Sequence, residues 1–196
     1  MQNVIRRAMA AIVAACAVVA TAGAQGAAAP GAASAAFETF LRATAALGAP
    51  ATAVHAAWPL PVGRAPLEHT MRFTPAHVVR LFLGPAASGR DSVTRLRAAS
   101  YVESVADTVT LRARVQVLTR QLVQVRGGAA DRCSTLQGEP AYLFVPQRGS
   151  RTWTKGAPGT AVQLTWEVAA GPTYAITVTS GMHLAADGEA AWVACP

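Results

Sequence analysis

Two cysteines are the residues whose type points most directly to covalent chemistry. The sequence contains Cys16, Cys133 and Cys195, and Cys16 falls in the N-terminal segment described below. If the chain is exported, the remaining pair, Cys133 and Cys195, predicts a disulfide, because oxidising compartments favour paired cysteines. The alternative is two buried free thiols. No Cys-x-x-Cys motif is present, so a redox role is not predicted.

Arginines form a second group that could bind a ligand. Arg112, Arg114 and Arg120 lie at even positions of a segment in which polar and apolar residues alternate. On a strand, alternate side chains leave the same side of the sheet, about 7 Å apart. Guanidinium groups at that spacing can hold carboxylates, phosphates or lipid head groups. We therefore hypothesise an anion-binding face at these three residues, with an ordinary solvated face as the alternative.

Histidines and carboxylates give weaker signals. Glu68, His69 and His77 lie close in the sequence, but their spacing matches no standard zinc pattern, so no metal site is predicted. Glu103 and Glu167 fall within strand-like patterns, where we interpret them as parts of a solvated face. Acid–base catalysis needs such groups in a cleft, and the sequence gives no reason to place them in one.

The standard catalytic motifs are missing from the sequence. It contains no Gly-x-Ser-x-Gly, no Walker loop, no Gly-x-Gly-x-x-Gly and no His-Glu-x-x-His. No catalytic residue, cofactor or cofactor-binding residue is therefore predicted. A non-enzymatic role is favoured over an enzyme, although the enzyme alternative stays open.

The N-terminal residues have the features of a secretory leader. Arg6 and Arg7 precede a small or apolar stretch over 8–22, and Ala22-Gly23-Ala24 resembles a cleavage site. This order predicts a signal peptide over residues 1–24, cleaved before Gln25. One alternative is a lipoprotein whose lipid is attached to Cys16. The other is an uncleaved leader helix that anchors the chain in the membrane.

Composition and charge limit the classes of binding partner expected for the residues after the leader. Residues 25–36 (QGAAAPGAASAA) are typical of a flexible linker, which leaves 37–196 as a single β-rich domain. The formal net charge of +7 favours anionic partners weakly. No Lys/Arg run or basic-aromatic motif is present, so nucleic acid is not predicted as a partner.

The first half of the domain predicts helices and one strand. A helix over Ala35–Leu47 is expected, with Ser34 as its N-cap. Residues 51–66 are rich in Pro and Ala, and Trp58-Pro59-Leu60-Pro61 predicts an extended loop. Alternation of apolar and polar residues over Leu67–Phe73 predicts a half-buried strand. Thr74-Pro75 then predicts the start of a short helix that ends at Gly84-Pro85.

The spacing of apolar residues over 108–117 fits both the period of a strand and the period of a helix. Apolar residues occupy every second position, which predicts a strand. Leu111, Val115, Leu118 and Leu122 also follow helical spacing. Because Val and Thr are abundant between Val105 and Val125, we predict a strand there and keep the helix as the alternative.

The C-terminal part predicts several short strands separated by Gly and Pro turns. The predicted strands are Ala141–Val145, Arg151–Thr154, Ala161–Val168, Thr173–Thr179 and Ala190–Ala194. The expected fold class is α+β and mostly antiparallel β, as a sandwich, open barrel or curved sheet with one or two N-terminal helices. A helix followed by a long antiparallel sheet resembles the cone-shaped folds related to nuclear transport factor 2. The resemblance rests on architecture alone and implies no site residue.

These observations predict an exported, non-enzymatic domain of the bacterial envelope, periplasmic or secreted, that binds a partner or supports an assembly. An envelope protein or an anionic surface is the expected partner, and the N-terminal segment offers membrane association. One alternative is an accessory subunit of a membrane complex, held by the uncleaved leader and facing the periplasm. Another is a small-molecule-binding protein or enzyme with a pocket in the curved sheet.

Overall fold

A computed structural model describes residues 30–58, 68–85, 94–135, 148–155, 160–169, 173–181 and Cys195. Among these residues there are three helices, α1 (Pro30–Ala45), α2 (Ala51–Ala57) and α3 (Thr108–Arg126). The strands are β1 (Glu68–Thr74), β2 (His77–Pro85), β3 (Thr94–Val105), β4 (Arg132–Thr135), β5 (Arg148–Trp153), β6 (Ala161–Val168) and β7 (Tyr174–Gly181). The predicted leader over 1–24, its cleavage site and Cys16 lie outside the described residues.

The seven strands form one antiparallel sheet in the order β1-β2-β3-β7-β6-β5-β4. Strands β1 to β3 pair with their neighbours in the chain, and so do β4 to β7. The two halves meet where β3 pairs with β7, and helix α3 connects β3 to β4. The sheet is open, with β1 and β4 at its edges. This confirms the predicted fold class.

One face of the sheet carries the core. Strand β2 illustrates the pattern, because His77, Val79, Leu81 and Leu83 are buried while Arg80 between them is exposed. Alternate residues of a strand leave opposite faces, so the buried set shares one side. Helix α1 packs across β1, β2 and β3 on that side, α2 packs on β3, and α3 packs on β7. The core therefore lies between the three helices and this face.

Helix α1 confirms the predicted N-terminal helix with an earlier start. It begins at Pro30, inside the segment predicted as a linker, whereas the sequence suggested Ala35 with Ser34 as N-cap. Phe37 and Phe40 are buried on its inner side. Burial of these two aromatic side chains adds tertiary contacts to the intrinsic helix propensity of the alanines in α1.

Helix α2, which the sequence did not predict, lies in the Pro- and Ala-rich region just before the predicted loop at Trp58-Pro59-Leu60-Pro61. Pro50 occupies its N-cap with extended backbone, a geometry that the fixed φ of proline favours. The alanine-rich residues that follow are good helix formers, and Val54 is buried against the core. The prolines that suggested a loop, Pro59 and Pro61, lie outside the described residues.

Strand β1 confirms the predicted strand, but the helix predicted after Thr74-Pro75 is wrong. Residues 75 and 76 form a tight turn, and β2 returns alongside β1. Thr74 Oγ1 accepts a hydrogen bond from the Ala76 N–H, so this threonine closes a turn instead of capping a helix. Both helix N-caps and turns use such local contacts, which is why the two patterns look alike in sequence.

The C-terminal strands confirm three predictions. Strand β6 matches the predicted Ala161–Val168, and β5 and β7 overlap Arg151–Thr154 and Thr173–Thr179. The strands predicted over Ala141–Val145 and Ala190–Ala194 lie outside the described residues. Gly149 on β5 pairs with Trp166 on β6. A Cβ at Gly149 would overlap the Trp166 ring, so glycine allows the indole to lie flat across the neighbouring strand.

Helix α3 replaces the strand predicted between Thr108 and Val117, and the helical alternative is confirmed. Asp107 caps its start by accepting hydrogen bonds from the Thr110 N–H and hydroxyl. Gly127 ends it with a left-handed φ of 73°, which glycine adopts without strain. The buried residues follow helical spacing, whereas Val109, expected inside on a strand, is 79% exposed. Caps and burial together outweigh the β-branched composition.

Candidate functional site

A buried carboxylate, Glu103, lies where β3 faces α3. Its side chain is only 4% exposed. Arg114 of α3 donates from Nε to Oε1 at 2.6 Å and from Nη2 to Oε2 at 2.9 Å. The Tyr101 hydroxyl donates to Oε2 at 2.7 Å. His77 Nε2 lies 3.8 Å from Oε1, and His77 Nδ1 lies 2.8 Å from the Thr74 hydroxyl. This corrects the interpretation of Glu103 as part of a solvated face.

The contacts of Glu103 give it a structural role. Both oxygens accept strong, charge-assisted or phenolic hydrogen bonds, so little accepting capacity is left for a substrate. Burial and the neighbouring Glu103 charge raise the pKa of Tyr101, which keeps its hydroxyl a donor. The hydrogen bond to Glu103 raises the pKa of Arg114. The group fastens α3 to the sheet. Glu167, the other carboxylate considered, is exposed on β6.

The three arginines predicted to share one strand face, Arg112, Arg114 and Arg120, lie on helix α3 instead. Arg112 and Arg114 lie on a helix, where residues two apart diverge by roughly 200°. Arg114 is held by Glu103, and Arg112 and Arg120 are exposed on α3. Anion binding by these three residues stays a prediction, without the shared strand face on which it depended.

The cysteine pair lies at disulfide distance, as the sequence predicted. The sulfur atoms of Cys133 and Cys195 are 2.04 Å apart, and their Cα atoms are 5.1 Å apart. Cys133 is buried on the edge strand β4. The pair therefore holds Cys195 beside the edge strand of the sheet.

Histidines from α2 and β1 meet at the other end of the sheet. The rings of His55 and His69 have centroids 5.2 Å apart in an edge-to-face arrangement. Glu68 points to the opposite face from buried His69, and His77 belongs to the Glu103 group. Within the described ranges, no three His, Cys, Asp or Glu side chains come together as a candidate metal site.

His69 makes stability depend on pH. Burial, and then the proximity of His55, lowers the pKa of His69 below its ordinary value of 6.5. As the pH falls below 6.5, His69 is therefore protonated in the unfolded chain before it is protonated in the folded chain. The free energy of unfolding declines on acidification as a result. Between about pH 7.5 and about pH 5.5, we expect the free energy of unfolding to fall less in His69→Leu than in the unaltered protein. Urea titrations of both proteins at the two pH values measure the difference. An identical loss in the variant would contradict the assignment to His69.

A cavity of about 380 Å³ lies between the C-terminal halves of α1 and α3, above the start of β6. Its wall is mostly apolar, and the exposed Val125 lies at its rim. The lining residues are Phe40, Leu41, Thr44, Ala45, Leu47, Leu122, Val125, Arg126, Thr160 and Val162. Small-molecule sites have this size, roughly 300–1,000 Å³, and this mixture of an apolar wall with a few polar groups.

Two polar atoms of the cavity wall lack partners within the described part of the chain. Thr44 Oγ1 and Arg126 Nε are both buried without a hydrogen bond. Buried polar groups are normally paired, so each such atom needs an explanation. Leaving one unpaired costs about 1–3 kcal/mol. Both atoms are closed to solvent, so a ligand oxygen reaches either of them only if the side chains shift.

Arg126 is held firmly at the cavity. Its Nη2 donates to the backbone oxygens of Lys155 at 2.7 Å and Thr160 at 3.1 Å. Gly127 and Gly128 end α3 immediately afterwards, and the Trp153 indole donates to the Gly128 oxygen. These contacts fix the guanidinium group between α3 and the β5–β6 connection. Its Nε therefore has a defined position before any ligand arrives.

Sequence reasoning missed every polar residue of this cavity. Thr44 lies near the end of a predicted helix, and Arg126 follows a segment interpreted as strand. The available signal was the Gly127-Gly128 pair directly after Arg126, which is typical of a helix end. A helix that ends at Gly127 has Arg126 in its last turn.

Comparisons with known proteins give no assignment: no protein-family model, curated protein or solved structure matches the chain. Within the described part of the chain, none of the helices combines the length and apolar character needed to cross a membrane. Function must therefore be inferred from the site itself.

Proposed function

We propose that this chain is a non-enzymatic binding protein of the bacterial envelope that holds one amphipathic small molecule between α1 and α3. The observation that carries the proposal is the cavity of about 380 Å³, whose wall is mostly apolar and includes Thr44, Arg126 and Thr160. The apolar wall suits a hydrocarbon or ring system, because removing apolar surface from water is favourable. The three polar residues suit an oxygen-bearing end of the same molecule.

Placement in the envelope is supported by the leader-like N-terminus and by the cysteine pair. Arg6 and Arg7 precede the apolar stretch of a typical signal peptide. A disulfide between Cys133 and Cys195 is compatible with an oxidising compartment. Binding without catalysis is supported by Glu103, the best-positioned carboxylate, because its oxygens are occupied by protein donors.

We expect the disulfide-bonded protein to bind the neutral fluorophore N-phenylnaphthylamine at one saturable site, with an increase in emission on burial. Ala45→Phe should abolish this binding, because Ala45 lines the cavity on an exposed turn of α1 and the ring would fill the space. Fluorescence titration measures both proteins.

Ala35→Phe is the matched control, since it makes the same change at an exposed position of the same helix, outside the cavity. It should bind the fluorophore as the unaltered protein does. The proposal is overturned if the unaltered protein does not bind, or if Ala45→Phe binds equally well.

A further inference from the structure

We infer that the bound molecule carries an anionic oxygen head group, recognised by Arg126, on an aliphatic body. This inference rests on the proposed function and specifies the ligand class for the same cavity. The chemistry shared by the candidate head groups is a negatively charged oxygen, as in a carboxylate or a phosphate monoester.

The first argument is charge. Arg126 lines the cavity, and no ion pair joins it to a carboxylate within the described ranges. Its Nη2 contacts are to neutral backbone oxygens of Lys155 and Thr160. Among the described residues, no carboxylate pairs with the positive charge at the cavity wall. An anion placed there interacts more strongly than it would in water, because the surroundings are largely apolar.

The second argument is hydrogen bonding. The guanidinium group of Arg126 can only donate hydrogen bonds. The Thr44 hydroxyl, on the helix that faces α3 across the cavity, can donate as well as accept. Donors from α1 and α3 at one cavity match a head group whose oxygens only accept. A neutral alcohol offers one oxygen and no charge, so it satisfies the site less well.

The third argument concerns the remainder of the ligand. The wall beside the two donors is formed by Phe40, Leu41 and Leu122, with further apolar contacts from Val125 and Val162. Inorganic phosphate alone would leave this surface uncovered. The occupant is therefore an amphiphile whose charged end contacts Arg126 and whose apolar body covers the wall.

The test compares decanoate, decyl phosphate and decanol as competitors of N-phenylnaphthylamine. We expect both anions to bind about tenfold more tightly than decanol, which corresponds to one charge-assisted hydrogen bond. Inorganic phosphate should not displace the fluorophore. The relative affinity of decanoate and decyl phosphate identifies which of the two head groups the site prefers.

Arg126→Gln should remove the preference for the anions while decanol binding persists. Arg72→Gln is the matched control, because Arg72 is exposed on β1, does not line the cavity and carries the same charge. For each variant, the affinity for the anions is divided by the affinity for decanol. Partial unfolding lowers both affinities by the same factor, so it does not change this ratio.

The outcomes separate the two proposals. If decanol binds as tightly as the anions, or if Arg126→Gln keeps the preference, the anionic head group is refuted while the binding function stands. If neither the fluorophore nor any decyl compound binds, both proposals fail.

Discussion

Replacing Arg114 by methionine is expected to lower the free energy of unfolding by about 3 kcal/mol or more, because it leaves the Glu103 carboxylate buried without its cation. The Tyr101 hydroxyl would be the remaining close donor, and one neutral donor does not offset the cost of a buried charge. Arg114 is partly exposed, with 27% of its side chain accessible, which places the expected loss toward the lower end of the usual range. Urea unfolding followed by circular dichroism measures it.

Two further variants isolate the cause. Arg120→Met makes the same change at an exposed position of α3 and should alter stability by no more than about 0.5 kcal/mol. Combining Arg114→Met with Glu103→Gln removes the unpaired charge while keeping an acceptor for Tyr101, so the pair should be more stable than Arg114→Met alone. An Arg114→Met protein as stable as the Arg120→Met control would show that the ion pair does not anchor α3.

Loss of the disulfide is expected to lower the free energy of unfolding by about 4 kcal/mol. Cys133 and Cys195 are 62 residues apart in the sequence, and a crosslink over that length removes much of the freedom of the unfolded chain. Typical domains are stable by only about 5–15 kcal/mol in total, so the effect is a large fraction. Urea titrations of the oxidised protein and of Cys133→Ala/Cys195→Ala measure the difference.

Reduction of the unaltered protein by dithiothreitol provides an independent check. The oxidised form should be the more stable, and its reduced form should match the double alanine variant. Equal urea midpoints for the oxidised and reduced protein would mean that the two cysteines are not joined in solution.

The sequence predicts the strands well where one face is solvated and the turns are local. Residues 161–168 alternate cleanly between Gly-rich segments, and β6 has those bounds. Alternation of apolar and polar residues also predicted a strand around Val109, where the structure has a helix. A period of two can arise by chance when Val and Thr are abundant. Asp107 and Gly127, one at each end of α3, indicated a helix more directly, since caps act through specific hydrogen bonds.

The candidate site could not be read from the sequence, for a geometric reason. Thr44 and Arg126 are 82 positions apart, and they meet because α1 and α3 pack on the same face of the sheet. Which helices become neighbours depends on the strand order, above all on the pairing of β3 with β7. The sequence pattern places Glu103 on a solvated face and Arg114 on a strand, so it does not predict that the two side chains pair.

The pairing of β3 with β7 also fixes the order in which the sheet can be completed. Strands β1 to β3 can assemble as soon as they are synthesised, since each pairs with a chain neighbour. Until Tyr174–Gly181 emerges, however, β3 keeps an edge of unpaired backbone groups, which is prone to intermolecular pairing. Helix α3 also packs against β7, so its packing on the sheet is complete only when the same strand is present. A chain that does not yet include β7 is therefore vulnerable to aggregation.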